Sequence, residues 1–268
     1  MARALAALDA LAASPAGLGV NALARRIGVN ASTASRLLGT LQEGGVVERV
    51  EGGPYRLGLK LVALSDRVLA QLDVRQRARP LLERLAVATG ETATLSVPGG
   101  GEAITVDFVP SRSSVVSMAR VGRPSVSHAT AVGKVMLAFG GWDAAGAPLD
   151  AATAASSART AFTERTIVDS RRLAAELETV RHRGYAEAVG EREPDLAAFA
   201  APVFGRTGGL AAILGVQGPA SRLPPATRKT LRAPLLAAAA ELSRSLGAPD
   251  GAGRADGPDG ADRAGDGL

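Results

Sequence analysis

Three short helices and a tight hairpin follow one another in the first 57 residues, and few folds accommodate that order. Apolar residues recur at helical spacing from Leu5 to Ala12 and from Leu23 to Ile27, which predicts two amphipathic helices. Asn30 is a favourable N-cap residue, so a third helix is predicted to begin there and to end at Gly44.

Two predicted strands, Val46 to Val50 and Tyr55 to Leu57, follow the third helix. Residues 51–54 join them and include Gly52 and Gly53, which supply the positive φ that a tight hairpin requires. Three helices followed by such a hairpin predict a winged helix-turn-helix, a fold that binds DNA through its recognition helix.

The predicted third helix separates an apolar face from a polar one. Ala34, Leu37, Leu38 and Leu41 are spaced to lie on one side of the helix, where they face the core. The opposite side carries small hydroxyl residues that allow close approach to a major groove, and Arg36 can donate two hydrogen bonds to a guanine. The residues predicted to contact DNA are Arg25, Arg26, Ser32, Thr33, Ser35, Arg36, Thr40, Arg49 and Arg56.

A weaker interpretation exists for the same residues. Taken alone, Ser32 and Thr33 are equally consistent with a helix cap, and Arg36 with a solvated surface. The complete order of helices and hairpin, with basic residues before and after the third helix, favours binding of double-stranded DNA.

Composition excludes several kinds of functional site. The 268 residues include no Cys, so disulfides, cysteine nucleophiles and thiolate metal sites are excluded. The two histidines, His128 and His182, cannot build a zinc site unaided, and no cofactor or metal is expected. No segment has the apolar character of a signal peptide or membrane span, so the sequence predicts a cytoplasmic protein with no membrane partner.

The remaining chain predicts a linker helix and a second domain. Leu59 to Leu72 has a helical period, and the strands and helices that follow predict an α+β domain built on an antiparallel sheet. One of its strands is predicted from Ser114 to Ala119, and Gly140 to Ser157 shows no clear period. The expected boundaries are 1–58 for the DNA-binding domain, 59–73 for the linker helix, 74–247 for the second domain and 248–268 for an acidic, disordered tail.

Ordered motifs across both domains carry a resemblance to a known family. They include Leu23-Ala-Arg-Arg-Ile-Gly-Val-Asn-Ala-Ser-Thr, Tyr55-Arg-Leu-Gly, Thr89-Gly-Glu-Thr, His128-Ala-Thr-Ala-Val-Gly-Lys, Arg183-Gly-Tyr-Ala and Ala200-Ala-Pro-Val. Together they resemble the IclR family of bacterial transcriptional regulators from about residue 2 to residue 247. The resemblance implies a winged helix-turn-helix, a linker helix and a GAF-like effector-binding domain, assembled as a homodimer or a dimer of dimers on a near-palindromic operator.

One departure from the family concerns DNA affinity. The family usually has Lys before the Ser-Thr pair, whereas this chain has Ala31. Loss of one phosphate contact should lower the salt dependence of binding by roughly one unit of slope.

The segment that begins at His128 predicts a helix start with Thr130 as its cap. The backbone N–H groups of Ala131, Val132 and Gly133 are expected to be free, and a helix N-terminus favours a carboxylate. From the residues alone, a capped helix that binds nothing is the favoured interpretation; the resemblance reverses this, because it implies a small organic acid at this place. His128 is expected to be a structural hydrogen-bonding residue, and Lys134 a surface or intersubunit charge.

Transfer of the family's pocket positions one by one predicts an unusually apolar cavity. Polar family positions fall on Ala188, Ala198, Gly215 and Gln217, so most polar anchors for a keto acid are missing. A cavity of that kind favours an acid with an apolar or aromatic body. The other predicted effector-binding residues are Ser117, Ser125, Glu191 and Leu196, together with the helix start at Ala131, Val132 and Gly133.

The sequence thus predicts a DNA-binding transcriptional regulator, a repressor whose operator affinity depends on a small organic acid. The alternative is a ligand-independent regulator with a vestigial pocket. An enzyme is not expected, because Gly-x-Ser-x-Gly, His-Glu-x-x-His and phosphate-binding glycine loops are all missing from the sequence.

Overall fold

A computed structural model describes residues 1–50, 52–70, 73–99, 102–114, 119–140 and 159–252, with the backbone alone at 66–70. The chain divides into two compact units, Met1–Leu72 and Asp73–Leu268. Most of the predicted strand from Ser114 to Ala119, the region of 141–158 and the tail beyond residue 252 lie outside the described residues.

The first unit is a winged helix-turn-helix followed by one further helix. Leu23, Leu38 and Val47 are buried at its centre, where the second helix, the third helix and the hairpin meet. Tyr55 pairs with Leu18 by two backbone hydrogen bonds of 2.9 Å, so the second hairpin strand is bonded on both sides. The elements are α1 Ala2–Ala12, α2 Val20–Arg26, α3 Ala31–Glu43, β1 Val47–Arg49, β2 Tyr55–Leu57 and α4 Lys60–Ala70.

The second unit contains a six-stranded sheet in the order β5-β4-β3-β8-β7-β6, with every neighbouring pair antiparallel. This architecture confirms the predicted α+β class. The elements are α5 Asp73–Thr89, β3 Thr92–Gly99, β4 Glu102–Val109, β5 Pro124–Ser125, α6 Ala131–Phe139, α7 Ser170–Arg183, β6 Ala186–Val189, β7 Leu196–Phe204, β8 Leu210–Pro219 and α8 Pro225–Ser245.

Helices cover both faces of this sheet. On one face α6 packs on strands β4, β6, β7 and β8 and on α7, around buried Val135, Leu177, Ala200 and Ile213. On the other face α5 packs on β3, β4 and β8, and α8 packs on β7, β8 and α5. The start of α6 lies near residues 190–195, which connect β6 to β7, because both segments line one cavity.

Among the described residues, no helix combines the length and the apolar character that a membrane crossing needs.

Candidate DNA-binding surface and effector cavity

Helix α3 has the two faces that its sequence predicts. Ala34 and Leu38 are fully buried, whereas Ser35, Arg36 and Thr40 are exposed. The exposed face is therefore free of core residues, and a substitution there changes the surface without opening the core.

Asn30 caps α3, as predicted. Its side-chain oxygen accepts hydrogen bonds from the Thr33 amide at 2.8 Å and from the Ser32 hydroxyl at 2.9 Å. The Ser32 hydroxyl therefore donates its hydrogen bond to Asn30 and can still accept one from a ligand. The exposed residues near it on α3 remain available to a ligand.

The five predicted arginines differ in how much of their hydrogen-bonding capacity is used. Arg25 and Arg36 are exposed and bond to no other side chain in the described part of the unit. Arg26 donates to the Ser14 hydroxyl at 3.3 Å. Arg49 donates to the Gly53 carbonyl at 3.3 Å and stacks on the Tyr55 ring, and Arg56 forms an ion pair with Glu48 at 2.7 Å.

A cavity of about 700 Å³ lies in the second unit where α6, β5, β8 and the 190–195 connection converge. Four residues that the sequence predicted for the effector site line it: Ser125, Val132, Leu196 and Gln217. The structure adds Thr94 and Thr105 on the central strands, the Thr130 cap, and Arg120, Arg123, Arg192, Glu193 and Asp195 near the opening. The cavity is therefore more polar than position-by-position transfer predicted.

The cap of α6 uses one of the amides that was expected to be free. Thr130 is the N-cap, as predicted, and its hydroxyl oxygen accepts from the Gly133 amide at 3.0 Å. The prediction of a free Gly133 N–H is therefore wrong, because the cap itself satisfies it. The amides of Ala131 and Val132 have no acceptor among the described residues, and Val132 lines the cavity.

At Gly215, where the family has a polar side chain, the neighbouring strand supplies a hydroxyl group instead. A Cβ at Gly215 would lie 2.5 Å from the Thr94 hydroxyl oxygen and 3.5 Å from a methyl of Val132. Thr94 and Gly215 are paired residues on β3 and β8, so the hydroxyl of one strand occupies the space that a side chain on the other would fill. Thr94 is only 4% exposed, and its hydroxyl has no hydrogen-bond partner among the described residues, although it borders the cavity.

The other predicted effector residues stand behind the cavity wall. Ala188 and Ala198 pair with each other on β6 and β7 and pack against the core beneath α6. Ala131 and Gly133 are buried inside the first turn of α6. Ser117 lies outside the described residues.

Glu191 belongs to an interior ion-pair cluster. The Lys134 Nζ atom lies 2.7 Å from Glu191 Oε1 and 3.8 Å from Glu176 Oε1, and it donates to the Glu187 carbonyl at 3.0 Å. The prediction of a surface charge at Lys134 is wrong, since this side chain is 1% exposed. Burial raises the pKa of Glu191, and the adjacent ammonium of Lys134 opposes that shift.

His128 has the structural role that was predicted. Its Nε2 atom lies 3.0 Å from the Thr160 carbonyl, and its ring stacks on Phe162. Neither Thr160 nor Phe162 lines the cavity.

Sequence reasoning missed Thr94 because the polar pocket positions were transferred onto β6, β7 and β8 and none onto β3. The signal that identifies it is strand pairing, which places it beside Gly215. Arg192 had no such signal, because only the folded 190–195 connection brings it to the cavity.

Comparison with known proteins accounts for both units. Residues 1–51 match the IclR helix-turn-helix domain, and residues 66–244 match the domain described as bacterial transcriptional regulator IclR C-terminal. The chain belongs to the IclR family. It is a DNA-binding transcriptional regulator and not an enzyme.

Two curated relatives of this IclR-family chain come from Escherichia coli. The HTH-type transcriptional regulator XynR is 32% identical over 248 residues, which cover 92% of this chain and 96% of XynR. The DNA-binding transcriptional repressor YiaJ is 30% identical over 247 residues, which cover 91% of this chain and 86% of YiaJ.

A solved IclR homologue from Microbacterium hydrocarbonoxydans is complexed with 4-hydroxybenzoate. It aligns with a TM-score of 0.75 at 26% identity and covers 91% of this chain and 98% of its own.

Proposed function

We propose that this regulator is a repressor whose operator affinity is set by a small organic acid bound in the 700 Å³ cavity. The observation that carries the proposal is the Thr94 hydroxyl, which is buried, faces the cavity and lacks a partner among the described residues. The hydroxyl faces the cavity with an unused donor, so a ligand that supplies the acceptor gains a hydrogen bond there. The repressor name of YiaJ supports the sign of regulation.

The acid is expected to place a carboxylate at the inner end of the cavity. The Val132 amide at the positive end of α6 and the Thr94 hydroxyl are both hydrogen-bond donors for a carboxylate there. Val126 and Leu196 provide apolar wall beside them, which suits an apolar or aromatic body. The 4-hydroxybenzoate complex of the Microbacterium homologue supports this class of ligand.

The regulator is further proposed to act as a homodimer or a dimer of dimers on a near-palindromic operator. One winged helix presents few base contacts, whereas two copies bind two half-sites together. Leu5, Leu59 and Val62 of the first unit are 57%, 77% and 56% exposed, and contact with a second copy would remove such apolar side chains from water. Light scattering should show at least a dimer at micromolar concentration; a monomer that keeps full operator affinity would contradict this.

Each segment is proposed to have its own role: residues 1–58 bind DNA, residues 59–73 link the two domains, and residues 74–247 bind the effector. Acid binding can change operator affinity only if the acid binds two arrangements of the dimer with different affinity.

The test combines calorimetry with gel-shift titration of the full chain, using 4-hydroxybenzoate as probe. The acid should bind, and it should weaken operator binding in wild-type protein. Ser125→Trp fills the cavity from a half-buried edge-strand position and should abolish both effects while operator binding without acid stays unchanged. An operator affinity that no carboxylate alters would instead support a ligand-independent regulator with a vestigial pocket.

A further inference from the structure

The opening of the effector cavity carries more cationic groups than one carboxylate needs. Arg120, Arg123 and Arg192 line it, with Glu193 and Asp195 beside them. None of these five side chains forms an ion pair with another residue in the part of the chain that the structure describes. Other arginines of the same unit do form ion pairs with carboxylates, as Arg222 does with Glu91 at 2.5 Å.

Arg192 differs from the two exposed arginines because its guanidinium is held in place. The Cζ atom lies 4.0 Å from the centroid of the Phe162 ring, and that ring stacks on His128 at 5.9 Å with an interplanar angle of 27°. Stacking on an aromatic face orients the guanidinium plane and leaves its N–H groups at the edge free to donate. Those N–H groups have no acceptor among the described residues.

The backbone on the N-terminal side of Arg192 is fixed as well. The Thr163 hydroxyl donates to the Gly190 carbonyl at 2.6 Å, and the Thr166 hydroxyl donates to the Glu191 carbonyl at 2.7 Å. The Glu191 side chain is in turn bonded to buried Lys134 at 2.7 Å. A guanidinium that is positioned before its ligand arrives loses little conformational entropy on binding.

We propose that Arg192 binds a second anionic group of the effector, so that the ligand is a dianion with one acidic group at each end. This inference rests on the proposed function, which places the first carboxylate beside Thr94 and Val132. Arg120 and Arg123 add positive charge at the same opening, and a bidentate bond between Arg192 and a carboxylate or phosphate is stronger than a neutral hydrogen bond.

Matched pairs of acids test this on the full chain by calorimetry. Terephthalate and 4-methylbenzoate differ in one carboxylate, as do glutarate and pentanoate, and the two pairs differ in length and shape. Each dianion should bind about tenfold or more tightly than its partner, the range expected for hydrogen bonds to charged groups. In 4-phosphonobutyrate a phosphonate replaces one carboxylate of glutarate, which distinguishes the two kinds of second anion.

Arg192→Gln should remove the advantage of the dianion while 4-methylbenzoate and pentanoate bind as in the wild type. Arg171→Gln is the matched control, because Arg171 is exposed on α7 and does not line the cavity, and it should keep the advantage. Arg192→Lys should keep only part of it, since lysine has the charge without the planar pair of donors.

Each outcome decides between the proposals. Equal binding of monoacids and dianions overturns the inference and leaves the proposed function intact. A dianion advantage that survives Arg192→Gln overturns the assignment to Arg192. If calorimetry detects no binding of any of these acids at millimolar concentration, both proposals are overturned.

Discussion

The two units differ in whether charged side chains also enter the interior. In the first unit Arg25 and Arg36 lie on the surface without partners among the described residues, ready for an external ligand. In the second unit Glu91 and Lys134 are buried, and each is paired with a residue far away in the sequence, at separations of 131 and 57 positions. Surface charge can be changed with little effect on folding, whereas interior charge joins the binding site to the stability of its domain.

The largest expected effect is the loss of Lys134. Lys134→Met leaves the buried Glu191 carboxylate without its cation, and breaking one partner of a buried pair costs about 3 to 5 kcal/mol of unfolding free energy. Urea unfolding followed by circular dichroism measures it.

Two further variants make that measurement specific. Adding Glu191→Leu to Lys134→Met should recover most of the loss, because no buried charge is then left unpaired. Lys229→Met, on an exposed position of α8, should stay within about 0.5 kcal/mol of wild type. A single variant as stable as this control would show that the interior pair does not tie the site to folding.

On the surface of the first unit, Arg36→Ala should weaken specific operator binding by about 1 to 3 kcal/mol through loss of a bidentate contact to guanine. The unfolding free energy should not change, since the exposed face of α3 carries no core residue. Gel-shift titration at fixed salt measures the affinity. Unchanged affinity together with unchanged base preference would mean that this face of α3 does not enter the groove.

Gly39→Ala should make the protein more stable and its operator binding weaker. No atom outside the adjacent helix backbone lies within 4 Å of the position that its Cβ would take, so alanine should raise the unfolding free energy by about 0.5 to 1 kcal/mol. Because Gly39 lies one turn after Arg36 on the same side of α3, the same methyl group should weaken operator binding. A more stable variant that binds the operator as well as wild type would show that the helix does not approach DNA closely at this turn.

The smallest effect is expected at Arg56. Its ion pair with Glu48 opposes a phosphate contact by the roughly 0.2 to 1 kcal/mol typical of exposed pairs, so Arg56→Ala should cost less than Arg36→Ala. Glu48→Ala releases Arg56 and removes a negative charge, and it should strengthen binding slightly in low salt. If Glu48→Ala instead weakens binding, the pair itself is part of the DNA-binding surface.

Local sequence patterns were sufficient where a structure depends on neighbouring residues. The Asn30 and Thr130 caps, the three N-terminal helices and the hairpin all follow from spacing within a few positions, and the structure confirms them. Which arginines touch DNA stays a prediction, since no contact in the protein alone decides it.

Patterns failed where a side chain meets a distant part of the chain. Lys134 reads as an exposed charge in a helix, yet Glu176 and Glu191 come to it from later elements and allow its burial. Arg192 reaches the cavity only because the 190–195 connection is held by Thr163 and Thr166. Neither arrangement has a local signature, because both depend on which elements pack together.

The pairing of Thr94 with Gly215 also constrains the order in which this pocket can change. A serine introduced at 215 would collide with the threonine, its Cβ 2.5 Å from the hydroxyl oxygen. If Thr94 keeps its side-chain rotamer, Thr94→Ala must therefore come first, and that intermediate has no hydroxyl on either strand at this point. A lineage that moves the hydroxyl from β3 to β8 must pass through a regulator with weakened effector binding, so selection for a working response would keep the two arrangements apart.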